Sequence, residues 1–251
     1  MIKIIPILVA ISGMLTATGF ATYWPSTGFA TDWPNTGFAA YWPNNESGQS
    51  VPFAVASVHF EQNATDGDFE VVFEVKGGDN GLVKLAVVSP DGRKVIDFTA
   101  PDASTLGIRQ FRFESPEPAN LESLKSAYPE GMYTFTGVSA TGEKLQSQST
   151  LNHKLPPTVS FLRPAAGASG VAIRNLGITW TPVKGLAAYI LYIEQDELEV
   201  SLEVRLPGSA NKFAVPDGFL VPGREYQLGI GTVTSEGNIS FVETTFTTAA
   251  K

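Results

Sequence analysis

The sequence predicts an all-β protein in which two β-sandwich domains follow one another along the chain. Short segments alternate apolar and polar residues, as strands with one buried face do. Turn signals rich in Gly, Pro, Asp and Asn separate these segments at roughly the 8–12-residue spacing of sandwich domains. A corner pattern of Pro, Gly and Tyr occurs once in each half of the chain. The repeated corner indicates two related modules.

Composition limits the classes of function. The 251 residues carry a formal net charge of -8 and contain no cysteine. Because the basic residues are scattered, we expect no nucleic-acid partner. The absence of cysteine excludes disulfides, thiolate metal sites and a lipoprotein anchor, and in an exported chain of this size it favours a bacterial protein.

The N-terminus has the pattern of a secretory signal peptide. Lys3 precedes an apolar run from Ile4 to Leu15, which is too short to span a bilayer and is followed by small residues. Cleavage fits after Gly19 or Ala21. We therefore expect residues 1–21 to be removed by Sec-dependent export, giving a periplasmic or extracellular protein with no transmembrane span. An uncleaved N-terminal anchor is the alternative.

Three near-identical nonapeptides follow, from Thr18 to Asn44. Each contains a Trp-Pro pair and a Gly, which oppose helices and long strands, so we expect residues 22–50 to be a disordered linker. In one interpretation, Trp24, Trp33 and Trp42 stack on sugar rings or on a partner surface. In the other, which we favour, the repeat is a tandem duplication tolerated in an unstructured segment.

The first domain is predicted to cover residues 51–155, with seven strands and one short helix. The helix is expected between Asn120 and Tyr128, with Asn120 or Ser115 as its cap. The predicted strands are Ala54–Glu61, Phe69–Val75, Leu82–Val88, Val95–Thr99, Arg109–Glu114, Tyr133–Val138 and Leu145–Leu151.

The two corners support a common architecture. Tyr133 opens a strand after a Pro and a Gly, and Tyr226 does the same after Pro222 and Gly223. Pro fixes the entry, Gly permits the bend, and the Tyr hydroxyl can bond to the backbone across the corner. The Ser89–Arg93 turn and the later G-x-Y-x-F-x-G pattern also loosely resemble bacterial immunoglobulin-like modules, such as that of flagellar hook-capping protein.

The second domain, residues 156–251, resembles a fibronectin type III domain. Its Pro-Pro entry, a strand at Thr158–Leu162, Ile178-Thr179-Trp180 and Tyr189–Ile193 match that family's A, B and C strands, and Phe213–Val215 matches its E strand. The whole chain is similar to exported bacterial proteins with a C-terminal fibronectin-like domain. The resemblance implies a spacer or binding module. The chain has no Arg-Gly-Asp triplet, so integrin recognition is not implied.

The corner of the second domain is expected to be part of its core. Leu220, Pro222, Gly223 and Tyr226 match the E–F corner of the family, and Trp180 matches its core Trp. We expect Trp180, Leu220 and Tyr226 to form one buried cluster. Between strands C and E, residues 198–206 alternate cleanly, which predicts a strand with one packed face and one mostly acidic, solvated face.

No catalytic constellation stands out. Of the two histidines, His59 is expected to face solvent or a polar partner, and His153 is expected to make a contact between the domains. Asp66–Asp68 and Asp79-Asn80 lack EF-hand spacing, so we expect no metal site. Gly167–Gly170 is interpreted as a small-residue loop. We therefore predict no catalytic residue, no metal ligand and no cofactor.

Three hypotheses of function follow. The favoured one is a non-catalytic secreted or periplasmic binding or scaffold protein, which presents sandwich surfaces to another envelope or extracellular protein. The alternative is a carbohydrate-binding or adhesion protein that uses exposed aromatic side chains, with polysaccharide as the partner. A hydrolase that uses Asp and Glu alone is a weaker alternative.

Overall fold

A computed structural model describes residues 50–100 and 107–250. The signal peptide, the nonapeptide repeat and its Trp24, Trp33 and Trp42 lie outside the described residues. Within the described part, the chain is all-β apart from one short α-helix and one 3₁₀ turn. The predicted fold class is therefore confirmed.

The first module, here residues 51–155, contains each of the predicted strands and the predicted helix. Their bounds are β1 Val55–Asn63, β2 Asp68–Lys76, β3 Leu82–Val88, β4 Lys94–Thr99, β5 Gln110–Glu114, α1 Leu121–Ala127, β6 Gly131–Ser139 and β7 Lys144–Leu151. The side chain of Asn120 caps α1 by accepting the Ser123 N–H at 2.9 Å. This bond satisfies one of the donors left open at a helix start.

The second module, here residues 156–250, contains eight strands in its described part. Their bounds are β8 Phe161–Arg163, β9 Ala168–Val171, β10 Gly177–Trp180, β11 Ala188–Gln195, β12 Val200–Pro207, β13 Lys212–Ala214, β14 Glu225–Val233 and β15 Ile239–Thr248. The sheet β13-β10-β8 lies on one side of its core, opposite β11, β12, β14 and β15. Three strands, β10, β11 and β13, lie where the fibronectin type III resemblance predicted them, whereas the strand predicted at Thr158–Leu162 is the shorter β8, which begins three residues later.

Two local expectations were wrong. The expected loop Gly167–Gly170 contains most of β9, which pairs in parallel with β15 through Phe246 and Thr248. Its small residues do not show the apolar–polar alternation of a strand, since only their backbone groups take part in the pairing. In addition, β12 begins at Val200, since Asp196–Leu198 forms a 3₁₀ turn and Glu199 is left-handed at φ 52°.

The strand β15 joins the two modules into one sheet. Its first residues pair in parallel with β1, Glu61 opposite Ile239 and Asn63 opposite Phe241. The resulting path is β12-β11-β14-β15-β1-β2-β5, while β4-β3-β6-β7 closes the first module. We call the seven-stranded path the shared sheet. The sequence predicted modules in tandem and contained no signal for this pairing.

Both cores lie on the same side of the shared sheet. Phe60 belongs to the first core and Val242 packs against the second. The neighbouring residues on the same side, Gln62 and Ser240, are paired in register and joined by a side-chain hydrogen bond of 2.8 Å. The opposite side of the sheet therefore belongs to neither core, and we call it the shared face.

Candidate functional site

The shared face is the part of the described chain richest in ionisable groups. By the alternation of strand side chains, its members include His59, Glu61, Glu70, Val72, Glu74, Arg112, Glu114, Tyr192, Glu194, Glu203, Arg205, Gly229, Gly231, Phe241 and Glu243. Several are buried although they lie outside both cores: Val72 is 0% exposed, Tyr192 2% and Phe241 9%. Something must therefore cover this face.

The charges on this face indicate how the shared sheet is shaped. On a flat sheet, β12 and β5 would lie roughly 29 Å apart, and charges at that distance are screened in water. The pKa of the Glu203 carboxyl on β12 is nevertheless affected by charges on β2 and β5. Burial raises this pKa, the positive charge of Arg112 opposes the rise, and the negative charge of Glu74 adds to it. The charges of Arg112 and Glu74 therefore act on β12, so the shared sheet is curved rather than flat.

Arg112 is the centre of a charged network on this face. Its guanidinium reaches Glu114 at 2.6 Å, Glu74 at 3.1 Å and both carboxylate oxygens of Glu61 at 3.4 Å. The Arg112 side chain is 24% exposed, so these are partly desolvated ion pairs. Burial alone would lower the pKa of Arg112, but the surrounding carboxylates raise it above its ordinary value.

Two glutamates that face each other across β1 and β2 have opposite electrostatic environments. Burial would raise the pKa of Glu61, but hydrogen bonding and charge from His59, at 2.6 Å, together with Arg112, hold it below its ordinary value. Burial raises the pKa of Glu70 to about 7, helped by the negative charges of Glu114, Glu61 and Asp68.

A carboxylate pair with divergent pKa values is also the pattern of an acid–base pair. Here the ionised member of the pair, Glu61, is not accessible to a substrate. Glu61 is 12% exposed in its side chain, and its oxygens are directed at His59 and Arg112. The arrangement is an internal ion network, which holds two strands of the first module to a third.

Small residues on β14 make room for aromatic rings on its neighbours. The ring of Tyr192 lies over Gly229, and that of Phe241 lies over Gly231, so that a methyl group at either glycine would collide with the ring. Tyr192 donates its hydroxyl to the carboxylate of Glu243. Burial, and then this carboxylate, raise the pKa of Tyr192 well above its ordinary value.

Asn238 fastens the junction between the modules. Its Oδ1 accepts the Phe60 N–H at 2.9 Å, and its amide donates to the carbonyls of Asn152 and Lys154, each at 3.0 Å. The residue is only 2% exposed. One side chain on the β14–β15 turn therefore binds both β1 and the segment that links the modules.

The residues predicted for the second core lie together. Trp180 is 1% exposed, Leu220 4% and Tyr226 0%, and all three belong to one cluster. Pro222 and Gly223 are exposed at the corner, with Gly223 at φ 66°, a conformation that glycine adopts without strain.

The two corner tyrosines bond to the backbone with opposite polarity. The Tyr226 hydroxyl accepts the Val221 N–H at 2.8 Å. The Tyr133 hydroxyl donates to the Pro129 carbonyl at 3.1 Å. The same corner is thus held by a different bond in each module.

Neither histidine is placed for metal binding. His59 pairs with Glu61, and His153 bonds through Nε2 to the Tyr128 carbonyl at 2.9 Å while its ring lies edge-on to Phe60. Across residues 50–100 and 107–250, no cluster of three or more His, Asp or Glu is arranged to hold a metal ion.

A shallow groove lies on the four-stranded sheet of the first module. Its volume is about 400 Å³, and its polar lining includes Lys84, Asp97, Thr136 and Lys144. In the described part of the chain no aromatic side chain is exposed; the exposed large apolar residues are Ile108, Met132, Leu162, Leu198 and Val221.

Helices long and apolar enough to cross a membrane do not occur among the described residues. No protein-family model matches the chain, and no curated protein matches it either.

The solved structures that match the chain include fibronectin type III modules. The fibronectin(III)-like modules of CbhA from Clostridium thermocellum are 14% identical, with a TM-score of 0.31, and the match covers 78% of this chain and 91% of that one. A two-domain fibronectin type III segment of chicken tenascin is 15% identical, with a TM-score of 0.31, covering 77% and 98%.

A tetra-tandem repeat from the extending region of a large adhesion protein is 10% identical, with a TM-score of 0.29, covering 78% of this chain and 50% of that one. Identities and TM-scores this low do not establish a relationship between these proteins and this chain. The functions of these proteins are therefore not transferred to this chain.

Proposed function

We propose that this chain is an exported, non-catalytic binding or scaffold protein, which presents its sandwich surfaces to a protein partner. The observation that carries the proposal is the shared sheet. The pairing of β1 with β15, over three residues of each strand, and the contacts of Asn238 join the modules, so surfaces on both are held at a fixed spacing. A fixed spacing suits a scaffold, whereas a flexible linker would suit modules that act separately.

The use of the ionisable groups also supports a non-catalytic role. Arg112 and its glutamates bind one another, and Tyr192 binds Glu243. A hydrolase that relies on carboxylates needs a pair that flanks an open cleft. The most divergent pair, Glu61 and Glu70, lies within the covered shared face, so we do not propose hydrolysis.

The test is capture of a partner from an envelope fraction, with the full chain and a variant lacking residues 22–44 as parallel baits. A photoactivated cross-linker then reports which residues touch the captured protein. We expect both baits to capture the same protein, with cross-links in residues 50–250. Recovery of background proteins alone in repeated trials would sink the proposal.

Carbohydrate binding is the second candidate, and the Trp residues of the repeat favour it. Trp24, Trp33 and Trp42 recur at the same place in each nonapeptide, and aromatic rings stack well on the apolar faces of sugars. The test compares retention of the full chain and of the variant lacking residues 22–44 on immobilised polysaccharides. Retention of the full chain only would support this candidate, and retention of neither would rule it out.

A further inference from the structure

The strand β12 offers the longest unpaired edge in the described part of the chain. It spans eight residues and pairs only with β11. The edge of β7 is of equal length, but Val51 bonds to it and its Ser147 and Ser149 side chains accept backbone N–H groups at 3.0 and 3.1 Å. The other edges, β4, β5, β8 and β13, are shorter. An open edge is a template for another strand.

The register of β12 shows which backbone groups are open. Gly208, just beyond the strand, donates to the Ala187 carbonyl at 3.2 Å, in register with the ladder to β11. Along an antiparallel strand, residues whose backbone groups bond to one neighbouring strand alternate with residues whose backbone groups point the other way. The backbone groups of the even-numbered residues of β12 therefore bond to β11. The N–H and C=O groups of Ser201, Glu203 and Arg205 therefore point away from it.

The side chains along this edge are self-complementary. When two copies of β12 run antiparallel with Val204 opposite Val204, Glu203 of each copy lies opposite Arg205 of the other. Leu202 then lies opposite Leu206. Shifting the register by two residues, which keeps the same side chains on the same face, sets Glu203 opposite Glu203 or Arg205 opposite Arg205. Like charges directly opposite one another are unfavourable. Only the register centred on Val204 pairs opposite charges in both halves.

Both the charged and the apolar side chains of β12 are available for this contact. Glu203 and Arg205 are exposed, and neither forms an ion pair within the described part of the chain. On the opposite side of the strand, the residues that pack on the second core are only partly buried: Val200, Leu202, Val204 and Leu206. A second strand alongside would remove more of their surface from water.

We propose that β12 is a homodimerisation edge, at which a second copy of this chain continues the shared sheet across a two-fold axis at Val204. In this register the open N–H and C=O groups of residues 201, 203 and 205 lie opposite open backbone groups of the second copy. The contact is isologous, so it closes at a dimer. Because one strand pair makes a small interface, we expect a dissociation constant on the order of micromolar. The proposal does not depend on the partner of the preceding section, since it needs only the chain itself.

The test is sedimentation equilibrium of the full chain over a concentration series. Arg205→Glu and Glu203→Arg each place like charges opposite one another, and each is expected to weaken dimerisation by about tenfold or more. Their mixture restores opposite charges at every pair, so two variants that are monomeric alone should form a heterodimer together. The double variant Glu203→Arg/Arg205→Glu should regain the homodimer.

Lys184→Glu is the matched control, since it makes the same charge change as Arg205→Glu at an exposed position away from β12. It should dimerise like the parent. The proposal is overturned by a parent chain that stays monomeric up to roughly 100 µM, the upper end of a micromolar association. It is also overturned by Arg205→Glu dimerising like the parent, or by a mixture of the single variants that stays monomeric.

Discussion

Arg112 neutralises the carboxylates that crowd the shared face. Glu61, Glu74 and Glu114 all direct oxygens at it, and Glu61 is largely shielded from water. Removing a buried counter-charge is costly because the remaining charges stay desolvated and unpaired. We therefore expect the loss of Arg112 to destabilise the first module more than the loss of an exposed ion pair would.

Replacing Arg112 by methionine, which keeps much of the volume, should lower the free energy of unfolding by about 2–4 kcal/mol. Urea denaturation measures the change. The control is Arg109→Met, whose pair with Asp79 is 66% and 96% exposed in the two side chains. That variant should differ from the parent by less than about 0.5 kcal/mol. Equal losses for the two variants would contradict the role of Arg112.

Glu70 gives the fold a dependence on pH. Its pKa in the folded protein is raised by burial, and then by neighbouring carboxylates, from 4.5 to about 7. The native state therefore takes up a proton before the unfolded state does as the pH falls. The stabilisation from this proton is complete below the unfolded pKa and is lost as the pH rises through about 7.

Glu70→Gln, which keeps the shape and removes the charge, should be more stable than the parent at about pH 8, where the parent carries an ionised Glu70. The difference should shrink as the pH falls through about 7. Urea unfolding of both proteins at several pH values measures it. A difference that is the same at about pH 8 and about pH 5 would contradict the assigned environment.

Asn238 shows how one residue can determine a junction. Replacing it by alanine leaves the buried Phe60 N–H and two partly buried carbonyls without this partner. Unsatisfied buried groups cost roughly 1–3 kcal/mol each, so we expect a loss of about 2–4 kcal/mol. Asn80→Ala, in an exposed turn, is the control and should be nearly neutral in the same denaturation assay. A neutral Asn238→Ala would show that the junction is held elsewhere.

Among the elements, β14 depends on having no side chain where its neighbours place aromatic rings. A Cβ at Gly229 would overlap the ring of Tyr192, which is itself buried. Gly229→Ala should therefore cost about 1–3 kcal/mol. Gly177→Ala is the control, because nothing lies within 4 Å of the added carbon.

A double-mutant cycle separates this overlap from a loss of backbone freedom. In a chain that already carries Tyr192→Ala, the change of Gly229 to alanine should cost much less, because the ring is gone. The free energies of unfolding of the four proteins give the coupling. Additive losses would mean that the ring and the glycine do not meet.

Most single elements could be predicted from the sequence, because each has its own local signal. Alternation marks β2 and β12, Asn120 marks the start of α1, and the Pro, Gly and Tyr corner marks the start of β14. Sequence alone missed β9, whose small residues pair through the backbone. Periodicity reports side-chain burial and cannot report a bond made by the main chain.

The shared face could not be predicted, for a related reason. Glu70 and Glu74 alternate with buried residues, which is the pattern of a strand with one face in water. A face whose middle residues are shielded from water, as Val72 and Tyr192 are, can show the same alternation. The pairing of Glu61 with Ile239 joins residues far apart in the chain, and the choice of a distant partner leaves no local trace.

At the scale of the whole molecule, the central claim is that the two modules form one cooperative unit. The shared sheet and the Asn238 contacts both cross the junction. Modules connected only by a linker would unfold separately, while modules that share a sheet lose packing in both when either opens. A scaffold that holds two surfaces at a fixed spacing requires the second behaviour.

The most direct measurement uses Trp180 as the only fluorescent Trp. Of the four Trp in the chain, the other three are replaced by Phe (Trp24→Phe, Trp33→Phe, Trp42→Phe). Leu85→Ala then weakens the first core alone, by about 2–5 kcal/mol. We predict that the urea transition of Trp180, in the second core, shifts by the same free energy as the circular dichroism transition. A Trp180 transition that stays in place while the first module unfolds earlier would contradict the account.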